Sequence, residues 1–143
     1  MEPGAVSQYD QLVRLRDWQL DEKRRALAEA QAEVDALIHK REALEEEVES
    51  EKRIASTSIE ASMSYNAFAN SVIIRREQIA AEITVRQEAV DEANQEMLEA
   101  FQELRKAEIV RDEFDAKERL KEARREQIEL DEIAQALHRR KLR

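Results

Sequence analysis

The side chains best suited to chemistry are few in this chain. His39 and His138 are the only histidines, and they stand far apart. A helical di-iron site needs Glu-x-x-His motifs, in which carboxylate and imidazole share one helix face. Ala36 lies three before His39 and Gln135 three before His138, so neither histidine meets that rule. Carboxylates recur four apart at Glu45/Glu49 and Glu88/Glu92. That spacing puts each pair on one helix face, and in so charged a chain such a face is a solvated one. There is no Cys, hence no disulfide, no thiolate nucleophile and no thiolate metal site. The single Gly cannot build a phosphate-cradling loop. Ser/His nucleophilic chemistry lacks a fold that would enclose it. The expectation is no enzyme, no metal and no cofactor, which leaves surfaces as the functional candidates.

Composition says which elements carry those surfaces. Charged residues make up 40% of the 143 and aromatics 4%, which suits long helices or a coiled coil rather than a thick core. A net charge of −9 opposes general nucleic-acid binding, because phosphates demand a basic face. Met1-Glu2-Pro3-Gly4 has neither the basic start nor the apolar core of a signal peptide. The longest uncharged run, Ala61 to Ile74, is too short to span a bilayer. A soluble, cytoplasmic protein is expected.

Two heptad seams organise the chain into one coiled-coil domain over 1–143. Ser7 stands three before Asp10, a capping-box spacing that starts a helix. Val13, Leu20, Leu27, Val34, Arg41, Val48 and Ala55 follow at intervals of seven, with Ala30, Leu37 and Leu44 as companions. Arg41 is read as a seam residue whose stem lies over apolar neighbours while its charge stays in water. Ser56, Thr57, Ser58, Ser62 and Ser64 then crowd together, and their hydroxyls compete for backbone hydrogen bonds. The rhythm resumes at Ile83, Val90, Met97 and Leu104, with Ile79, Ala93, Ala100, Ala107 and Phe114 as the other row. Phe101, Ile109 and Val110 fall outside that row and are read as widening the buried face. The fold class is all-α: two long helices in an antiparallel coiled-coil hairpin. The first helix covers about 7–55, the connector about 56–63 and the longer second helix about 64–140. Equal arm lengths end the pairing near Asp112 and leave roughly 30 residues, about 45 Å of helix, beyond it.

Three surface features stand out. Leu120, Ala123, Gln127, Leu130, Ala134 and Leu137 form a stripe in steps of 3, 4, 3, 4 and 3, a coiled-coil seam without a mate in the chain. Residues near the start, Val6 and Leu12 among them, would cover part of it if the register shifted. Charge is polarised, with seven acids against two bases from Glu42 to Glu60 and four bases without an acid from His138 to Arg143. Between Ile54 and Ile74 the only charge is Glu60, and Met63, Tyr65, Phe68, Val72 and Ile73 lie in that stretch. Such residues either close the hairpin or present an exposed docking patch.

The Ser-rich tip leads into Tyr65-Asn66-Ala67-Phe68. The long charged helix carries Ala100-Phe101-Gln102-Glu103-Leu104-Arg105-Lys106 and then Arg124-Arg125-Glu126-Gln127-Ile128-Glu129-Leu130-Asp131-Glu132 before a basic tail. With the length, this pattern resembles the FliJ family, small coiled-coil proteins of bacterial flagellar type III export. The resemblance implies a hairpin like that of the γ rotor subunit of rotary ATP synthases. It implies three partners: the hexameric flagellar export ATPase, the cytoplasmic domain of the membrane export gate, and export chaperones. Carried onto this chain, the ATPase end is Val13 to Trp18 and Leu120 to Arg140. Its candidate contacts are Leu120, Arg124, Arg125, Leu130, Ile133, Leu137, Arg139 and Arg140. The resemblance makes Tyr65, Phe68 and Val72 the candidates for gate or chaperone docking, while gate contacts expected late in the first helix have no counterpart, since Glu45, Glu46, Glu47 and Glu49 stand there.

The implied function is a non-enzymatic stalk, cytoplasmic and peripherally attached to the export apparatus, that couples ATPase to gate. The competing reading is a structural coiled-coil scaffold or assembly protein. A stalk is expected to be monomeric on its own, and a scaffold to dimerise through its seams.

Overall fold

The computed structural model describes residues 7–142. Met1-Glu2-Pro3-Gly4, Val6 and Arg143 lie outside the described residues. Two helices account for nearly everything: α1, Gln8–Ala55, and α2, Ile59–Lys141. They have 48 and 83 residues, so the second arm is much the longer. The expected capping box starts α1. The Asp10 amide donates to Ser7 Oγ (3.2 Å), and the Ser7 amide donates to Asp10 Oδ2 (3.2 Å). Two otherwise orphan N–H groups are satisfied reciprocally.

The connector is shorter than the 56–63 read from the serine cluster. Only Ser56, Thr57 and Ser58 separate the helices. Ser56 Oγ and Thr57 Oγ1 donate to the carbonyls of Arg53 (2.7 Å) and Ile54 (2.6 Å), which closes the end of α1. Ser58 Oγ accepts from the Ala61 amide (3.0 Å), so Ser58 caps α2. Ser64 instead lies within the helix, its hydroxyl turned back to the Glu60 carbonyl (3.3 Å).

The chain divides into two compact units. One is Leu20–Glu99, which holds the connector, and the other combines the described residues of Met1–Gln19 with Ala100–Arg143. Within Leu20–Glu99 the helices run antiparallel. Cross-helix ion pairs join Lys23 to Glu96 (3.3 Å), Glu33 to Arg86 (3.0 Å), Glu45 to Arg76 (2.7 Å) and Glu47 to Arg75 (3.0 Å). One partner's number rises as the other's falls, which is the signature of a hairpin. The pairs nearest the connector flank a core of Leu44, Val48, Val72 and Ile79, against which Phe68 and Ile83 pack. Leu20 and Val34 are buried, while Leu27, Ala30, Leu37, Val90, Ala93 and Met97 are half-buried. Arg41, the basic interruption of the seam, is exposed.

In the other unit Leu104 and Ala107 are buried, and Leu12, Val13 and Arg111 half-buried. The Tyr9 ring rests against Phe114, centroids 4.8 Å apart and planes at 46°. Aromatic pairs favour such tilted contacts, and this one marks the last layer of the hairpin. Pairing thus ends close to the Asp112 expected from equal arm lengths. Phe101, Ile109 and Val110 do not widen the buried face. All three are more than two-fifths exposed, because they sit off the seam that α1 covers.

Candidate functional site

Beyond Phe114 and Asp115 the hairpin no longer covers α2. Every residue from Ala116 to Leu142 is exposed, yet the helix runs on to Lys141. Short-range pairs brace it: Glu118–Lys121 (3.3 Å), Glu122–Arg125 (3.4 Å), and the Gln127 side-chain amide donating to Asp131 Oδ1 (3.1 Å). Helix propagation is also easy here, since the costly first turn already exists in the packed part of α2.

The apolar residues of this stretch stay in water. Leu120, Leu130 and Leu137 are 54%, 60% and 53% exposed, and Ile128 and Ile133 are similar. Of the bases on this stretch, Arg125 pairs with Glu122, and Arg139 donates to the Gln135 carbonyl (3.4 Å). Arg124 and Arg140 form no ion pair among the described residues. Ala134, Gln135, His138 and Arg139 line an open groove on this single helix, not an enclosed cavity.

The stripe also faces an unexpected way. The seam set by Leu104, Ala107, Arg111 and Phe114 would continue by heptads through Glu118, Lys121, Arg125 and Ile128. Leu120, Ala123, Gln127, Leu130, Ala134 and Leu137 instead lie about 150° around the helix from that seam, at 3.6 residues per turn. The stripe therefore occupies the face of α2 turned away from α1. Leu12 belongs to α1 and is half-buried, while every described residue of the stripe is exposed, so the stripe stays uncovered. Val6 lies outside the described residues. Spacing alone held this signal, because the two rows of α2 are out of step between Phe114 and Leu120.

At the connector the expected docking residues lie inward. Val72 is 3% exposed and belongs to the core, so it reaches no partner while the helices stay packed. Phe68 is half-buried against that core, and the Tyr65 ring leans on it with centroids 6.1 Å apart. Ala61, Tyr65, Phe68 and Val72 are spaced 4, 3 and 4 apart and lead on to Ile79 and Ile83. That is the seam extended toward the connector, and it was readable from the spacing. The outward face carries Ile59, Met63, Ile73 and Ile74, with Ile59 and Met63 at 82% and 71% exposure. The acidic run is partly answered across the hairpin, since Arg76 and Arg75 hold Glu45 and Glu47 by paired hydrogen bonds. The Arg76 hydrogen bond keeps the Glu45 carboxyl below its usual range.

No three of His, Asp and Glu converge as metal ligands among the described residues. His39 lies 3.6 Å from Glu42 on the surface of α1. No helix among the described residues is long and apolar enough to cross a membrane. What the geometry offers is helical surface: a striped, basic-rimmed free end and an apolar outer face at the connector.

The family model described as "Flagellar FliJ protein" matches residues 6–143, nearly the whole chain. The chain belongs to the FliJ family. Membership makes it a component of the flagellar export apparatus, in a family of structural rather than enzymatic proteins. No curated protein and no solved structure compared with the chain matches it. The FliJ resemblance read from the tip and the second helix is thus shown over both arms.

Proposed function

We propose that this FliJ-family chain is a cytoplasmic stalk, peripherally attached to the flagellar export apparatus, whose free end binds the hexameric export ATPase. The supporting observation is the run from Ala116 to Leu142. It is a fully exposed helix whose apolar stripe faces away from its own hairpin. Each exposed Leu there forgoes roughly 1.5–3 kcal/mol of burial that a partner recovers. Arg124 and Arg140 border the stripe and suit a groove or pore with acidic walls, while Arg125 and Arg139 project from the far side of the helix. The region around the connector docks the cytoplasmic domain of the gate and empty chaperones. There Ile59, Met63 and Ile73 face outward, backed by Tyr65, Phe68 and Val72.

Binding of the chain to purified export ATPase, with and without truncation after Asp115, tests the reading. Loss of binding and of ATPase stimulation on truncation is expected. Undiminished binding by the truncated chain would refute it.

A further inference from the structure

The exposed stripe on α2 has an internal symmetry. Reversed about a point between Ile128 and Glu129, its spacing of 3, 4, 3, 4 and 3 maps onto itself. Leu120 then falls on Leu137, Ala123 on Ala134, and Gln127 on Leu130. A two-fold interface needs such self-complementarity, since the same patch serves both subunits. We propose that a second copy of this chain occupies the stripe, antiparallel to the first and centred between Ile128 and Glu129.

Charge decides the orientation. In a two-stranded coil, the residues that flank the seam face each other across it. In the antiparallel pairing, Arg124 of each copy faces Asp131 of the other, giving two attractive contacts by symmetry. In a parallel pairing, Arg119 faces Arg124 and Glu126 faces Asp131, and each repulsion occurs twice. The antiparallel arrangement has two adverse contacts by symmetry, Arg119 against Arg140 at each solvent-washed end, against four repulsions in the parallel one. Arg124 forms no ion pair within its own chain among the described residues, so it is open to this role. The central Gln127 already has one side-chain N–H donated to Asp131.

Steric access follows from the direction of the stripe. α1 lies on the far face of α2, where Tyr9 meets Phe114, so the second copy does not compete with it. Ala123 and Ala134 leave room for the two helices to approach closely. Leu120 and Leu137, each about half exposed, lose their contact with water. Any other ligand of this stripe must displace the second copy, so self-association masks the face until that ligand arrives.

The full chain is tested by sedimentation velocity from about 1 µM to about 1 mM, with circular dichroism confirming that each variant stays helical. A concentration-dependent dimer is expected. Asp131→Arg puts like charges together and should weaken it about tenfold, and Arg124→Asp with Asp131→Arg should restore it to within about twofold. In a parallel dimer Asp131→Arg would strengthen association instead. Cross-linking gives a second readout, since the chain has no native Cys. Ala123→Cys mixed with Ala134→Cys should form a disulfide dimer, and Ala123→Cys alone should not. A monomer throughout the range, a strengthening by Asp131→Arg, or cross-linking of Ala123→Cys to itself overturns the proposal. A dimer through this seam is the behaviour expected of a scaffold, so the ATPase reading is decided separately, by binding of the chain to the ATPase.

Discussion

Phe68 shows how a side chain's place is decided by its phase on the helix. In an uncharged stretch it looks like a docking aromatic, but it falls in step with Val72 and Ile79 and packs on their core. Phe68→Ala should therefore cost about 2 kcal/mol, less than for a fully buried ring, and lower the melting temperature by several degrees. Unchanged melting with lost partner binding would return Phe68 to the surface role. Glu45 makes a second residue-scale case. Its two hydrogen bonds to Arg76 favour the charged carboxylate and lower its pKa from the ordinary 4.5. The sign follows: a depressed folded pKa gives stability that is present above 4.5 and fades as pH falls through the lower folded value. The pair is exposed, so the effect on overall stability is small. An NMR titration of Glu45 should show a midpoint below 4.5, and Arg76→Gln should move it back up. A midpoint that ignores Arg76→Gln would remove the ion pair from the solution structure.

Among the elements, the seams were the most legible part of the sequence. Leu20, Val34 and Val48 recur by sevens and are buried, and so are Leu104 and Ala107 on the facing helix. A hydrophobic row on a long helix has only one way to leave water, which is against another such row. The connector was less legible because a hydroxyl has several backbone partners within reach. Five of them crowd together, and only the geometry shows Ser58 capping while Ser64 bonds backward inside the helix. The free stripe was legible in its spacing and illegible in its direction, which needs the hairpin seam as a reference. Truncation after Asp115 is the matching test at this scale. Every described residue it removes is exposed, so the melting temperature of the remaining hairpin should change by no more than about 2 °C. A larger fall would mean that the stripe serves the fold. Hydrogen exchange should likewise be faster from Ala116 to Leu142 than around Leu44 and Val48, because only the latter lie in a packed core.

For the molecule as a whole, charge is unevenly shared. The chain carries −9, yet from Lys117 to Lys141 bases outnumber acids eight to six. An acidic body with a basic free end is oriented by any acidic cavity before contact. Association with the export ATPase should slow several-fold as salt rises from about 0.05 M to about 0.3 M, where the Debye length falls well below 10 Å. A rate indifferent to salt would remove electrostatic guidance from the reading.

The half-turn between the two apolar rows of α2 makes the free end behave like a key cut at a fixed angle. Its torsional phase relative to the hairpin is set by the number of residues between Phe114 and Leu120. Inserting two Ala after Ala116 turns the stripe by about 200° and brings it roughly into line with the hairpin seam. Inserting seven turns it by only about 20° from its present angle, while lengthening the arm by about 10 Å. If the angle matters to the export apparatus, swarming motility should survive seven added residues far better than two. Equal motility in the two strains would show that reach, and not angle, is what the free end supplies.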